Sequence, residues 1–474
     1  MFKDIEEVLR YIKDKKIAML DLKTADLLGR WRHMVYKSGH DDEKIFTDGT
    51  GTSLTSYPGF KTMECGDMII KPDPSTGFLD PFAEEPTLCF ICDIYNNDGS
   101  PFELDPRYVA RKAEEYLAKT QLGGFSFWGP EIEFYLFDEV RYGTDIQGAQ
   151  YWVNSSESYW NTGKEGSRGY NLPYTKGSQA DLPRDQFSNL RTRIVQYLEG
   201  VGVPIKYHHH ESGSPGQMEI ETYFTPLLQS GDNVFKLKYI IKNAAVKFGK
   251  TATFMPMPLF SESTNGMHYH QYITDGKKSL FYDPKGYGGL NKNGLAYIGG
   301  ILSHVQAVIA LTNGSTSSYR RLGGYRAAPN YIFYSVANRT AAIRIPAYAI
   351  NEKEARVEFR MPDATGNPYL SLVAMLMAGL DGIEKSIDPS KEGFGPFEEN
   401  FNVQDVVDKY KLPRAPDTFQ EALIALEKDH DFLTKDNVFP EELIKAWIKT
   451  KETLEISSLQ KRPHPYEYDL YYDL

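Results

Sequence analysis

Tyr207-His208-His209-His210-Glu211-Ser212-Gly213-Ser214-Pro215-Gly216-Gln217-Met218-Glu219-Ile220-Glu221-Thr222-Tyr223-Phe224 reads as two strands joined by a Gly/Ser/Pro loop. Period-2 alternation puts Ile205, Tyr207, His209 and Glu211 on one face of the first strand, and Gln217, Glu219 and Glu221 on one face of the second. Carboxylates therefore meet across the hairpin. Converging carboxylates in a covered site repel one another and lose hydration, which is costly unless a cation or a set of arginines compensates. A bound metal is the simplest answer.

Three other strand-like runs repeat the pattern. Gly129-Pro130-Glu131-Ile132-Glu133-Phe134-Tyr135-Leu136-Phe137 sends Glu131 and Glu133 to a single face, and Gly266-Met267-His268-Tyr269-His270 does the same with two histidines. Arg356-Val357-Glu358-Phe359-Arg360 places Arg, Glu and Arg on one face and apolar residues on the other. A sheet with one polar, concave face suits an anionic, metal-bound ligand. The candidate ligand set is Glu131, Glu133, Glu211, Glu219, Glu358 and His268, and donors so rich in oxygen favour Mg²⁺ or Mn²⁺ over zinc or copper. Arg321, Arg339, Arg344, Arg356 and Arg360 add planar forks suited to phosphate and carboxylate. Metal, phosphate and carboxylate together point to ATP-driven acyl activation.

These residues resemble type I glutamine synthetases along nearly the whole chain, from about Ile17 onward. The likeness is carried by Asp48-Gly49, by Gly129 to Glu133 and by His208 to Glu219. It continues through Phe248-Gly249-Lys250-Thr251-Ala252-Thr253-Phe254-Met255-Pro256, Ser318-Tyr319-Arg320-Arg321-Leu322, Asn338-Arg339, Ile343-Arg344-Ile345-Pro346 and Asn367-Pro368-Tyr369-Leu370.

The resemblance implies an α+β fold, with a small N-terminal β-grasp-like domain (1–102) and a large catalytic domain (103–474) built on a curved antiparallel sheet. It implies ligation of ammonia to the γ-carboxylate of L-glutamate, driven by ATP as substrate with two to three divalent metals per site. Glu131, His268 and Glu358 would hold one metal, and Glu133, Glu211 and Glu219 the other. Arg321 and Arg360 would bind glutamate, while Arg339, Arg344 and Arg356 would face the phosphates. Phe224 would stack on adenine and His270 would meet a phosphate. Asp48 would reach the neighbouring subunit's site to bind and deprotonate ammonium. The aromatic C-terminal run Pro463 to Tyr472 would dock into a facing ring, giving a dodecamer of two hexameric rings with sites between subunits.

Departures from the family pattern cluster around the amine. The flap reads Gly324-Tyr325-Arg326-Ala327-Ala328-Pro329, with Arg326 where a glutamate is usual. Met257 stands for a lysine, Ser263-Thr264-Asn265-Gly266 for Asn-Gly-Ser-Gly, Tyr272 for a serine and Lys206 for a glutamate. Residues 391–403 contain no tyrosine for adenylylation. Three readings stay open on these residues: a glutamate-ammonia ligase with a rebuilt flap, a γ-glutamyl ligase for a larger amine, and a non-catalytic regulator.

Composition sets the frame. The chain has 474 residues, 41% hydrophobic and 25% charged, and a net charge of −11. An acidic chain does not suit nucleic acid, whose binding needs a basic surface. No apolar run reaches the roughly 18 to 20 residues of a membrane span, and the acidic, amphipathic start lacks a signal-peptide pattern, so a cytoplasmic enzyme is expected. Cys65, Cys89 and Cys92 are too few for a disulfide framework. Cys89 and Cys92, three apart on a strand, point to opposite faces and are expected to be structural.

The remaining pattern predicts helices over Phe2 to Lys15, Pro106 to Gln121, Asp185 to Gly200, Asp232 to Phe248, Leu295 to Leu311 and Tyr369 to Ile387. Thr47 to Gly51 reads as a turn, and Arg141 to Gly169 has the composition of a surface loop.

Overall fold

Helix α1 (Ile5–Lys15) begins where Asp4 accepts a hydrogen bond from the Glu7 N–H at 2.9 Å, with Glu6 and Glu7 at the positive end of the helix dipole. The computed structural model describes residues 2–61, 63–323, 328–397, 407 and 409–474. After α1 come β1 (Met19–Ala25), β2 (Trp31–Lys37), helix α2 (Asp42–Thr47), β3 (Thr50–Ser53), β4 (Asp67–Pro72), β5 (Phe78–Leu79) and β6 (Thr87–Tyr95). These strands make one sheet in the order β2-β1-β6-β4-β3, with β5 also on β6. Its central pair, β1 and β6, is parallel. The turn expected over Thr47 to Gly51 is confined to Asp48, which caps α2, and Gly49, because the helix runs to Thr47 and a strand begins at Thr50.

Both Cys89 and Cys92 are buried on β6, and burial pushes each thiol well above its usual range. Asp21, Asp80 and Cys89 bring donor atoms within 4.8 Å of one another. Lys23 already compensates that cluster, its Nζ standing 2.6 Å from Asp21.

A buried arginine ties this sheet to the rest of the chain. Helix α3 (Pro106–Lys119) starts at Asp105, which caps it, with Pro106 at the first turn. From that turn Arg107 reaches Asp73 and Asp93 of the first sheet region at 2.8 and 2.5 Å, and Asp232 at 3.0 Å through two nitrogens. Tyr369 adds a hydroxyl to Asp232 at 2.6 Å.

The second sheet carries the site. Its strands are β7 (Phe125–Phe137), β10 (Ile205–His210), β11 (Gln217–Thr222), β12 (Thr225–Pro226), β13 (Thr251–Thr253), β14 (Met267–Thr274), β15 (Tyr334–Val336), β16 (Ile343–Ile345) and β17 (Val357–Phe359). They run in the order β10-β11-β7-β14-β17-β16-β15, with β12 and β13 also on β7. Pairing is antiparallel except between β15 and β16. A separate hairpin, β8 (Glu139–Thr144) with β9 (Ala149–Asn154), follows β7 directly.

One face of the sheet feeds the core. Ile132, Phe134 and Leu136 of β7 and Met218 and Ile220 of β11 are fully buried, alternating with the carboxylates. The helices that complete this core include α4 (Ser188–Gly200), α5 (Leu227–Lys247), α6 (Lys292–Ser303), α7 (Val305–Thr312), α8 (Thr316–Leu322) and α9 (Pro368–Glu384). Helix α9 is buried from Pro368 to Gly382. It lies close against α6, where a Cβ on Gly300 would stand 2.1 Å from the Ala378 carbonyl.

Two expectations from the sequence are corrected. The stretch Leu295 to Leu311 forms two helices bent by 76°, broken at His304. The side chain of His304 bridges Asp381 and Asp429, both at 2.9 Å, which the bend makes possible. The segment from Arg141 to Gly169 is only partly surface. Tyr142, Tyr151 and Trp152 are exposed on the hairpin, yet Ser155, Glu157 and Ser158 are fully buried. Among the described residues no single helix is long and apolar enough to cross a membrane, and the bent α6–α7 pair is buried in the core.

Candidate active site

The β-ladder register stacks the acidic residues in rows. Glu219 pairs with Glu133 and Glu221 with Glu131 between β11 and β7, while His209 pairs with Glu219 between β10 and β11. On the other side of β7, His268 pairs with Glu131, and across β14 and β17 His270 pairs with Glu358. Adjacent strands lie about 5 Å apart, so each row brings side chains on the same face into contact. The hairpin reaches this register through Gly216, which has a φ of +95° and where a Cβ would stand 2.4 Å from the Leu136 carbonyl, leaving room for no side chain.

A cavity of about 570 Å³ opens over these rows. Glu131, Glu133, Glu211, Glu219, His268, Arg321, Arg339, Arg344 and Arg360 all line it. Glu358 does not. It is fully buried beneath the floor, where it accepts from Arg344 and, at 2.5 Å, from Arg360.

Phe224, His270 and Arg356 form an adjoining aromatic and cationic group. The Arg356 guanidinium lies 5.3 Å from the Phe224 ring and 5.4 Å from that of Tyr348, a cavity residue. The Tyr272 ring, where the resemblance expects a serine, stands edge-on to Phe224 at 5.2 Å and stacks on Phe127 at 5.9 Å. Asp48 is exposed and is not among the residues lining the cavity of its own chain. Arg326 lies outside the described residues, as does part of 391–403.

Burial and mutual repulsion dominate the electrostatics. Burial, reinforced by Glu211, pushes Glu133 up to about 7. Burial likewise pushes Glu219 up to about 8, with Glu131, Glu211 and Glu133 adding to it and a hydrogen bond from His209 opposing it. The proton between His209 and Glu219, 3.2 Å apart, is drawn to the carboxylate by burial and to the imidazole by Glu219 and Glu211.

Glu131 is held well below the usual carboxylate range. Burial works against this, but hydrogen bonds from His268 at 3.1 Å and His270 at 2.9 Å outweigh it. Arg356 Nε stands 3.4 Å from His270 Nδ1, and the other ring nitrogen, Nε2, faces Glu131. Burial would also raise Glu358, yet Arg360, His270 and Arg344 bring it down to about 2.

The donor chemistry fits a divalent cation. Four carboxylates and several imidazoles converge, and burial with neighbouring carboxylates makes Glu133 and Glu219 resist ionising, despite Arg321 and Arg360 near the first and His209 on the second. Oxygen-rich donors of this kind suit Mg²⁺ or Mn²⁺. Two compact groups offer ligand atoms within 4.8 Å of one another: His209, Glu211 and Glu219, and Glu131, His270 and Glu358. His268 is not in the second of these groups, although its Nδ1 stands 3.1 Å from Glu131 and 3.9 Å from Glu358.

His209 and Glu221 were on the polar faces read from the sequence but outside its ligand set. Glu221 is fully buried, with Lys206 Nζ 2.8 Å from one oxygen. Their place two residues from Glu211 and Glu219 on the same strand faces is the signal that the sequence carries for them.

Models of two domains match the chain: glutamine synthetase, beta-Grasp domain, over residues 16–97, and glutamine synthetase, catalytic domain, over residues 103–471. The chain belongs to the glutamine synthetase family. It is 42% identical to the glutamine synthetase of Nostoc sp. over 475 residues, covering 99% of each chain. It is 41% identical to that of Frankia alni over 479 residues, covering 100% of each. The fold matches a Plasmodium falciparum glutamine synthetase structure with a TM-score of 0.86 and 27% identity, covering 99% of each chain. The β-grasp and catalytic parts of the family correspond to the two sheets described above.

Proposed function

We propose that this chain is a glutamate-ammonia ligase, which forms glutamine from L-glutamate and ammonia with hydrolysis of ATP. The observation that carries the reading is the convergence of Glu131, Glu133, Glu211 and Glu219 with Arg321, Arg339, Arg344 and Arg360 around one cavity, in a chain matched end to end by glutamine synthetases. Full-length likeness to enzymes of that name favours ammonia over a larger amine, and catalysis over a regulatory role.

Glu133, Glu211 and Glu219 would hold one divalent metal, and Glu131, His268 and Glu358 a second, with two to three ions per site. When bound, such metals neutralise phosphate charge and align the reacting oxygens. The glutamate γ-carboxylate oxygen attacks the γ-phosphorus of ATP, the bond to ADP breaks, and γ-glutamyl phosphate forms. Ammonia then attacks the acyl carbon, phosphate leaves, and a proton passes to a base.

Arg321 and Arg360 would orient the glutamate. The Arg321 amino groups donate to the carbonyls of Met361 and Arg360, leaving Nε without a partner among the described residues. Arg339, Arg344 and Arg356 would face the phosphates, with Phe224 beneath the base and His270 beside them. Asp48, exposed in its own chain, would serve a neighbour's site as the base that makes ammonium nucleophilic, and Arg326 would shape the amine entrance.

Sites between subunits imply a homo-oligomer, and a dodecamer of two hexameric rings is the assembly we assign. Support comes from the C-terminal helix Pro465–Tyr471, whose Tyr466, Tyr468 and Tyr471 are exposed and need a covering surface. We assign the domain boundary to 102/103 and the compartment to the cytoplasm. The test is coupled measurement of phosphate release and glutamine with ATP, glutamate, ammonium and Mg²⁺ or Mn²⁺. Metal-dependent ATP hydrolysis requiring glutamate, without glutamine formation, would redirect the reading to another amine.

A further inference from the structure

We propose that Glu157 is a positioning residue for Glu211, acting through His210, and this rests on the reading of Glu211 as a metal ligand. Glu157 and His210 are both fully buried, and His210 Nε2 stands 3.0 Å from Glu157 Oε2. The other imidazole nitrogen, Nδ1, meets the Glu211 carbonyl at 2.5 Å. A carbonyl can only accept, so Nδ1 carries a proton and the ring is held at both ends.

The segment after β9 is built around this contact. The Phe187 N–H donates to the second Glu157 oxygen at 3.2 Å, and the Leu172 N–H donates to the Glu157 carbonyl at 2.8 Å. The Gln179 and Gly177 N–H groups donate to the carbonyls of His210 and Ser212 at 2.8 and 3.2 Å, on either side of Glu211. At Gly177 a Cβ would lie 2.4 Å from the Glu211 carbonyl and 2.5 Å from the His210 ring, so any side chain there would displace the imidazole.

With its own N–H donating to Gln217 at 2.8 Å, the Glu211 peptide is fixed on both sides. One Glu211 oxygen accepts from the Ser212 N–H at 2.8 Å, while the other lies 3.8 Å from His209 Nδ1, toward Glu219. The carboxylate therefore has little freedom except to face the cavity. Without Glu157, Nε2 would be a buried group lacking its partner, and the ring would turn to satisfy it, releasing the Glu211 carbonyl. Outer contacts of this kind are worth about 10- to 100-fold in metal affinity.

The experiment is Mn²⁺ binding to the assembled protein, read by electron paramagnetic resonance, together with the thermal midpoint of the metal-free protein. Glu157→Ala should weaken the Mn²⁺ site that Glu211→Ala abolishes by about 10-fold or more, and Glu157→Gln, whose amide can accept from or donate to Nε2, should restore most of that affinity. A purely structural buried pair would lower the midpoint and leave Mn²⁺ affinity as in wild type, and that result overturns the proposal. If Glu157→Ala fails to fold, Glu157→Asp, with its shorter reach, should still weaken Mn²⁺ binding measurably; wild-type affinity there overturns the proposal equally. Should Glu211→Ala keep the full Mn²⁺ stoichiometry, the ligand reading itself falls and the inference with it.

Discussion

Glu219 faces Glu133 directly across the β11–β7 ladder, and both carboxyls are pushed up toward neutrality by burial and by each other's neighbours. Two acids in that relation are costly to ionise unless a cation joins them. The site is therefore destabilising by itself, and a divalent cation held there would offset that cost.

Replacing Glu219 by Gln should leave the metal-free protein as stable as wild type or more so, because a repelled, buried carboxyl is removed. The same change should abolish the rise in thermal midpoint that Mn²⁺ gives the wild type, since a ligand stabilises only the state that binds it. Glutamine formation by Glu219→Ala or Glu211→Ala should fall well over tenfold, more than about 1.4 kcal/mol of barrier. Residual activity above a tenth would reject the metal assignment.

Arg107 makes four hydrogen bonds to three carboxylates in the interior, Asp73 and Asp93 at the first sheet and Asp232 on α5. Truncation to Ala would take the ion pair from buried Asp232 and leave Asp73 and Asp93 with Arg111 alone, at 3.0 and 2.8 Å. Removing one partner of such a buried network costs about 3 to 5 kcal/mol. Urea unfolding should show that loss, and a change under about 1 kcal/mol would mean that the network does not hold the first sheet to α3 and α5.

His304 gives a pH-dependent contribution with a definite sign. Burial disfavours its charge, but hydrogen bonds to Asp381 and Asp429 outweigh this and raise its pKa above the ordinary imidazole value. Stability from the charged pair is fully present below the unfolded-state value of about 6.5 and fades as pH rises through the higher folded value. Asp381, with His304 and Lys435 and Lys385 around it, is held low and loses its contribution only in acid. The difference in stability between wild type and His304→Gln should thus be about 2 kcal/mol near pH 6 and shrink in alkaline solution. A difference that grows with pH would contradict the assignment.

For Asp48→Ala, γ-glutamyl phosphate formation should persist while glutamine release slows, because in the role proposed for it the aspartate serves only the amine. Mixing and reassembling Asp48→Ala with Glu219→Ala subunits should recover activity at sites that combine the two intact halves. Absence of recovery would place each site within one chain.

Arg326 occupies the flap position where a carboxylate is usual in the family. Arg326→Glu should lower the KM for ammonium with kcat preserved, since an acidic side chain attracts the cation that an arginine repels. If Arg326 borders the amine entrance as proposed, charge reversal there would be worth about a few kcal/mol. Kinetics within about twofold of wild type, under roughly half a kcal/mol, would make Arg326 a bystander.

The direction of a side chain along a strand is a local property with a period of two, so Glu131 with Glu133, Glu219 with Glu221 and His268 with His270 could be placed on shared faces from the sequence alone. Helix starts were legible for a similarly local reason: Asp4 and Asp105 cap helices that begin at or near the residues where helical spacing begins. The bend at His304 was not, because its partners Asp381 and Asp429 lie 77 and 125 residues away. Only the tertiary structure could bring Glu157 to His210 across 53 residues, or Arg107 to Asp232 across 125. Such contacts depend on strand register and helix packing, which sum small preferences over the whole core and leave no periodic trace at the residues they join. The sequence by itself determined which side chains share a strand face; the fold decided which of them line the cavity and which buried groups hold them in place.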